Sequence, residues 1–557
     1  MAGTQHISRL RIDKNNPDIV YAAVMGHLFG SHADRGVYKT TDGGKNWKKV
    51  LFANNDAGAV DLIIDPTNSR ILFASTWRVR RTPYSFESGG EGSALWKSTD
   101  AGETWKNISE NKGLPKGTWG IVGVTVSPVN ANRIWAIIEN AEGGIFRSEN
   151  GGETWVKVND ERKLRQRAWY YSRIYADTKD EDMLYVLNVD FHRSKDGGKT
   201  FENIDTPHGD HHDLWISSQN PDYLLIGDDG GAQVSVNKGK TFSTYMNQPT
   251  AQFYRVTTDN NFPYKIYVAQ QDNSTLRVSH RTFGGGITDK DWEVTAGGES
   301  GHIAVNPENS DIVYGGSYGG FFERLDHKTG QSRIIDIYPD NPIGAGASAM
   351  KYRFQWNFPI SFSPHDSKVL YAGANCLFRT TNEGQTWEKI SPDLTTNDSL
   401  KQISTGGSIT KDNTGVEYYC TIFAAAESPT EKGVIYTGSD DGLVHVTMDN
   451  GKNWQNITPP KTILPEFAQI NSLEIHPTQK GTLYLAAVRY KLDDFQPYLL
   501  KTTDYGKTWT KIVNGIDKQH FTRVIRADRK KQDYFLQEQS KECMFLLMTV
   551  QIGSLSN

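Results

Sequence analysis

Short apolar runs with period-two alternation recur along nearly the whole chain, separated by turns rich in Gly, Asn and Pro. Asp18-Ile19-Val20-Tyr21-Ala22-Ala23 is followed by Gly36-Val37-Tyr38-Lys39, and related runs stand at 70–75, 182–187, 311–315, 368–373 and 433–438. Alternation over so few residues predicts β-strands rather than helices. A further run usually precedes and closes on a Pro or Asn turn, as at 62–66, 124–128, 303–307, 360–364 and 473–477. A short edge strand follows, such as Lys48-Lys49-Val50 or Glu388-Lys389-Ile390. The pattern therefore predicts four strands per unit.

Between the third and fourth strands stands a recurring phrase. It runs Ser or Thr, any residue, Asp or Asn, two residues ending in Gly, any residue, Thr or Asn, then an aromatic. Thr40-Thr41-Asp42-Gly43-Gly44-Lys45-Asn46-Trp47 is the first copy, and others occupy 98–105, 148–155, 194–201, 235–242, 380–387, 447–454 and 502–509. The acidic or amide position is Asp42, Asp100, Asn150, Asp196, Asn237, Asn382, Asp449 and Asp504. An Asp there accepts hydrogen bonds from its own turn's amides, and Gly supplies a positive φ, so the phrase predicts a hairpin turn. The aromatic that follows is large enough to fill the space between neighbouring sheets. Eight copies argue for structural staples, since a catalytic group is not needed eight times.

Successive Asp or Asn positions lie 58, 50, 46, 41, 145, 67 and 55 residues apart. The long interval accommodates units whose phrase has decayed, at 253–292 and 301–335, and the expected total is eleven. Four-stranded units repeated radially make an all-β propeller with short, protected edges. The tail breaks the pattern. Reading its codons one base out of frame from Gln532 permits a strand followed by S-F-D-D-G-A-N-W, so 532–557 is expected to be a frame-slipped tail that does not complete its blade. Sequencing the coding DNA around that codon checks this.

Composition narrows the partners. The formal charge is −4 over 557 residues, with both signs mixed throughout, which gives no basic face for nucleic acid. No apolar run approaches the length of a membrane span, and no signal peptide opens the chain. Three cysteines, Cys376, Cys420 and Cys543, build no disulfide framework.

The phrase S-x-D-x-G-x-T-W is that of the Asp-box, or BNR, repeat. With the segments 26–47, 208–231, 270–292 and 354–393, the chain resembles bacterial sortilin-like (VPS10) β-propeller proteins often labelled glycosyl hydrolase, and more distantly the xyloglucanase-type glycoside hydrolases. The resemblance implies two tandem seven-bladed rings, both incomplete: about five blades over 4–248 and about six over 249–531, the last broken. A single ring of ten blades is the alternative count. It also implies a periplasmic, cell-surface or secreted protein. The box specifies fold far more than function.

Four groups of residues carry candidate chemistry. His208, Asp210, His211 and His212 form the densest polar cluster, with donor types suited to a divalent metal. Alternation would set His211 and Asp213 on one face and His212 on the other. No other cofactor is implied. The Gly-flanked pairs Asp228-Asp229 and Asp440-Asp441 are either turn formers or, one from each ring, the two carboxylates of a glycoside hydrolase. Trp77, Arg78, Trp169, Tyr170 and Trp356, with Trp119 and Tyr171, are candidates for a ligand surface or for packing between blades. The leading expectation is a propeller scaffold that binds a peptide, protein or glycan. The alternatives are a β-glucan hydrolase and a purely structural part.

Overall fold

Each predicted four-strand unit has two largely apolar faces, and neither survives in water unless another sheet covers it. The computed structural model describes residues 4–248, 250–412, 414–528, 534–539 and 548–549. These form eleven antiparallel sheets in chain order, most of them four-stranded, with consecutive strands adjacent. This is the repeating meander of a β-propeller. The first strands are His6–Ile12, Ala57–Ile64, Val122–Val126, Arg173–Ala176 and His211–Ile216 in sheets 1 to 5. In sheets 6 to 11 they are Phe253–Thr258, Ile303–Val305, Ile360–Phe362, Ile422–Glu427, Gln469–Ile475 and Thr522–Ala527.

The chain divides into two compact units. One holds residues 1–250 together with 405–412, and the other holds the remainder. The sequence pattern gives no hint of the 405–412 excursion. There the Gly406 amide donates to the Phe86 carbonyl (2.8 Å), and Arg167 meets Asp412 at 3.5 Å. The long interval without a box holds sheets 6 and 7. Much of the expected frame-slipped tail lies outside the described residues. Of it, Tyr534–Gln539 and Met548–Thr549 pair in sequence with Thr522–Ala527 as sheet 11.

Within each unit the first strand of every sheet touches the first strand of the next. Apolar cores lie between consecutive sheets rather than in one centre. Tyr21, Ala23, Leu62 and Leu72 join sheets 1 and 2, while Tyr185, Phe191, Leu214 and Ile226 join sheets 4 and 5. Sheets 9 and 10 meet through Tyr436, Val446, Leu473 and Leu485.

The boxes are hairpin turns between third and fourth strands, as expected. In the first, Thr40 Oγ1 accepts from the Gly44 amide (3.0 Å) and donates to Asp42 Oδ1 (2.8 Å), which also accepts from the Asn46 amide (2.9 Å). The Asn46 amide and side chain hold the Asp42 carboxyl at about 2. Thr104 and Thr508 do the same for Asp100 and Asp504. Where Asn replaces Asp, the geometry persists with one donor reversed: Asn150 Nδ2 donates to Thr154 Oγ1 at 2.9 Å, as does Asn382 to Thr386. The turn needs acceptor geometry at this position and tolerates the loss of charge.

A second recurring device joins most sheets to the next. An aromatic on the second strand faces, in register, a cation on the third strand just before the box. The pairs are Tyr21 and Lys39, Phe73 and Lys97, Trp135 and Arg147, and Tyr185 and Arg193. The second unit has Tyr267 and Arg277, Tyr314 and Arg324, Tyr371 and Arg379, and Tyr484 and Lys501. In most sheets the cation reaches the following box. Lys39 donates to the Ala101 carbonyl (2.9 Å), Lys97 to Gly151 (2.8 Å), Arg147 to Gly197 (3.1 Å) and Arg193 to Lys238 (2.9 Å). Arg324 meets Glu383 at 3.0 Å, and Arg379 donates to Asn450 at 2.8 Å.

The axis of the first unit is filled by charge. Arg9 of sheet 1 meets Asp61 of sheet 2 at 3.3 Å and Asp213 of sheet 5 at 2.8 Å, and it donates to the Tyr175 hydroxyl of sheet 4 at 2.7 Å. Asp61 also accepts from the Val124 amide of sheet 3 (3.0 Å) and lies 3.8 Å from Arg173. Five first strands are thus tied to one cluster built on the buried Arg9 and Asp61. Bulges between Ile7 and Arg9, Ala59 and Asp61, and His211 and Asp213 set these side chains on the axis. Arg9→Met is expected to lower stability by about 3 kcal/mol, because it leaves Asp61 buried against Arg173 alone. An unchanged midpoint in chemical denaturation would remove the cluster from its tying role.

Candidate functional site

In each unit the box turns close one end of the sheets. The connections from second to third strand, and from one sheet to the next, gather at the opposite end. The candidate residues outside the boxes all lie at or beside these opposite connections, in one unit or the other. The topology alone thus separates staple chemistry from the ends that carry variable side chains.

The histidine cluster does not follow simple alternation. The bulge at His212 puts an extra residue into the first strand of sheet 5, so His211 pairs with Asp228 and Asp213 with Gly227. His211 and Asp213 therefore face opposite ways, contrary to the period-two expectation. His211 is buried beside Phe191, with its ring nitrogens on the Thr206 hydroxyl (2.9 Å) and the Asn188 carbonyl (3.2 Å). His212 pairs with Asp229 at 2.7 Å and stacks on Tyr171, whose hydroxyl donates to Asp210 at 2.5 Å. His208 Nδ1 bonds the Gly209 carbonyl at 2.9 Å. Of the expected metal donors, His208 and His211 thus bond different groups, while Asp210 and His212 share Tyr171.

The acidic pairs are held as turn formers are held. Asp228 accepts from the Gly230 and Gly231 amides (3.0 and 3.1 Å) and from Gln233 (2.6 Å), and burial raises its carboxyl above the usual range. Asp440 and Asp441 are each only 2% exposed. Asp440 grips Thr421 through its amide (2.9 Å) and hydroxyl (2.6 Å), beside Cys420 at a φ of 60°. Asp441 accepts from the Ser439 hydroxyl and from both the amide and hydroxyl of Thr396. Burial first, and the neighbouring Asp441 second, push the Asp440 carboxyl well up.

The aromatic candidates separate by burial. Trp77, Trp119, Trp169 and Tyr171 are interior, and Trp77 donates to the Ser88 hydroxyl at 2.9 Å. This corrects their expected exposure: long second strands and the sheet connections fold over them. Tyr170 and Arg78 stay half-buried, with Arg78 on Glu87 at 2.6 Å. Trp356, also half-buried, stacks on Tyr318 at 4.9 Å and donates to the Tyr254 hydroxyl at 2.9 Å.

The axis of the second unit was not legible in the sequence. Arg255 of sheet 6 lies 5.3 Å over the Phe423 ring of sheet 9 and donates to the Asn471 carbonyl of sheet 10 at 3.5 Å. Arg526 of sheet 11 donates to Ser472 at 2.7 Å and lies 3.7 Å from Glu474. His302, just before the first strand of sheet 7, has a buried Nε2 with no hydrogen-bond partner. Burial, then Arg255 and Arg526, push its imidazole well below the ordinary range. A register shift between Phe253 and Val256 sets Arg255 off the simple alternation, and nothing in the local sequence announces it.

Two measurements follow from these burials. Asp440→Ala is expected to cost about 2 kcal/mol through the stranded Thr421 donors, and Asp440→Asn much less, as read by thermal unfolding. Burial also lowers the folded-state values of His192, His211, His302 and His445. The unfolded chain, near 6.5, therefore takes up protons that the folded chain refuses, so stability falls as pH drops below about 6.5. A thermal midpoint that is flat from pH 7 to 5 would contradict this.

Residues 375–549 match the family model Sortilin-Vps10, described as sortilin, neurotensin receptor 3. No curated protein matches the chain. Among solved structures, a GH74 enzyme of Niastella koreensis aligns at 14% identity and TM-score 0.41, covering 96% of this chain and 89% of the other. The GH74 xyloglucanase of Xanthomonas campestris aligns at 14% and 0.41, covering 96% and 90%. PorZ, a surface component of the type-IX secretion system of Porphyromonas gingivalis, aligns at 13% and 0.42, covering 96% and 72%. No helix among the described residues is long and apolar enough to cross a membrane. The chain is a β-propeller repeat protein whose segment 375–549 is sortilin-like.

Proposed function

We propose that this protein is an extracytoplasmic binding scaffold whose second unit receives an acidic peptide segment, or a peptide's terminal carboxylate, along its axis. The observation that carries the reading is the set Arg255, His302 and Arg526. The buried imidazole sits in the field of two guanidinium groups, of which Arg526 also has Glu474 at 3.7 Å. The first unit, by contrast, sets Arg9 and Arg173 against Asp61 and Asp213. A peptide carboxylate entering the second axis would meet charge-assisted donors in partly desolvated surroundings, where such bonds are strong. The description of the matched family as a neurotensin receptor agrees with a peptide ligand.

The hydrolase reading has less support. Asp440 and Asp441 are buried and accept two and three hydrogen bonds from neighbouring residues, whereas an acid–nucleophile pair must reach a glycosidic oxygen and an anomeric carbon. Metal binding by the histidine cluster stands as a subsidiary proposal, checked by plasma-emission analysis of the protein and of His212→Ala.

Fluorescence anisotropy with a labelled peptide ending in two Glu residues tests the main reading. Binding is expected to weaken at least tenfold on Arg255→Ala, on C-terminal amidation of the peptide, and with added salt. Equal binding by the amidated peptide and by Arg255→Ala would overturn it. Reducing-end release from a β-glucan panel, abolished by Asp228→Asn, would establish the hydrolase instead.

A further inference from the structure

Sheet 5 breaks the aromatic–cation rule that every other complete sheet keeps in whole or part. At the register positions where the others carry an aromatic and a cation, it has Leu225 and Val234. Sheet 9 keeps the aromatic, Tyr436, and replaces the cation with Val446, which is buried. Only sheet 5 loses both, and only there are the replacements in the open. Leu225 is 42% and Val234 46% exposed, and Trp215, in register with Leu225, is 57% exposed. Tyr223 and Val236 extend the same face.

The opposite face of sheet 5 is conventional, with Leu214, Ile216, Leu224 and Ile226 packed against sheet 4. The exposed face is therefore a sheet face of the kind that elsewhere meets a neighbour. It lacks the groups that clip into a neighbour's box. Its third-strand edge is already used, because the Val234 amide donates to the Ser243 hydroxyl (3.0 Å) and its carbonyl accepts from the Ser243 amide (2.9 Å). Strand addition at Val234 is thereby blocked, and side-chain packing remains.

We infer that this face, Trp215–Leu225–Val234, is a self-association surface on which a second copy of the chain lays the same face about a two-fold axis. Three features favour that occupant. The row is apolar and uncharged, so it is complementary to itself, as an isologous contact requires. A neighbouring Asp-box blade fits this face poorly, because sheet 5 lacks the cation that reaches the next box in six of the other sheets. The five side chains expose roughly 500 Å² a copy, so a face-to-face pair buries on the order of 1,000 Å², near the lower bound for a specific dimer. Face-to-face sheet packing supplies the geometry.

Sedimentation velocity of the full chain at loadings from about 1 to about 100 µM tests this. The expected result is a monomer–dimer equilibrium. The double variant Leu225→Tyr/Val234→Arg, which restores the aromatic–cation pair, is expected to weaken it at least tenfold with an unchanged thermal midpoint. Single-cysteine probes Trp215→Cys, Leu225→Cys and Val234→Cys, made with Cys543→Ser, give a second readout that does not depend on how the double variant folds. At least one is expected to form a disulfide-linked dimer under mild oxidation. A chain that stays monomeric, a double variant that associates as strongly as the parent, or three probes that all fail to cross-link would overturn the inference.

Discussion

Hydrogen bonds to the carbonyls of a neighbouring turn are the constraint on which the array depends. Apolar faces can slide over one another at little cost, since the hydrophobic effect is not directional. A lysine or arginine that must reach one particular carbonyl two strands beyond its own sheet cannot slide. The box turn makes that carbonyl available by satisfying its own amides internally and presenting its oxygens outward. Tyr21 and Lys39 together hold the Ala101 carbonyl, and Trp135 and Arg147 together hold Gly197. Each turn therefore sets the local hairpin and the seat of the preceding sheet at once.

Much of the fold was legible because its two signals are local. Period-two alternation marks the strands, and the box marks the hairpin between third and fourth strands, with its Asp or Asn and its positive-φ Gly both found in their expected roles. The same locality explains what was hidden. Whether Asp228 or Asp440 is a turn former or a catalyst depends on which amides and hydroxyls lie around it, and Thr421 and Thr396 come from distant sequence. Trp77 and Trp169 read as candidates for a ligand surface or, more commonly, for packing between blades, and the connections that cover them decide the matter. His211 and Asp213 were set on one face by alternation, and a single bulge separated them.

Bulges are the second theme of the axis. In both units the first strands carry an inserted residue near the point where they converge, at Ile7/Arg9 and Ala59/Asp61 in one and at Ile422/Ala424 and Ile470/Ser472 in the other. The insertion turns a side chain that alternation would send toward a neighbouring sheet into the centre. The two units fill that centre differently, one with a closed set of opposite charges and the other with two guanidinium groups, one carboxylate, an imidazole and an aromatic ring. A shared backbone device thus builds a structural plug in one case and, in the other, the cluster on which the proposal of a carboxylate ligand rests.

The box tryptophans differ between the units in a way that bears on how they come apart. Trp47, Trp105 and Trp155 donate their indole N–H to the carbonyl of their own turn, at Gly44, Gly102 and Gly152. Trp387, Trp454 and Trp509 donate instead to the end of the preceding sheet, at Ile335, Ile390 and Ile457. Peeling one sheet from the second unit must rupture a bond that straddles the seam, whereas in the first the indoles leave with their own hairpins intact. The seams of the first unit thus rest on strand cations and aromatics such as Lys39 and Trp135, while those of the second gain a box indole as well, so mechanical pulling should rupture the two sets of seams at different loads.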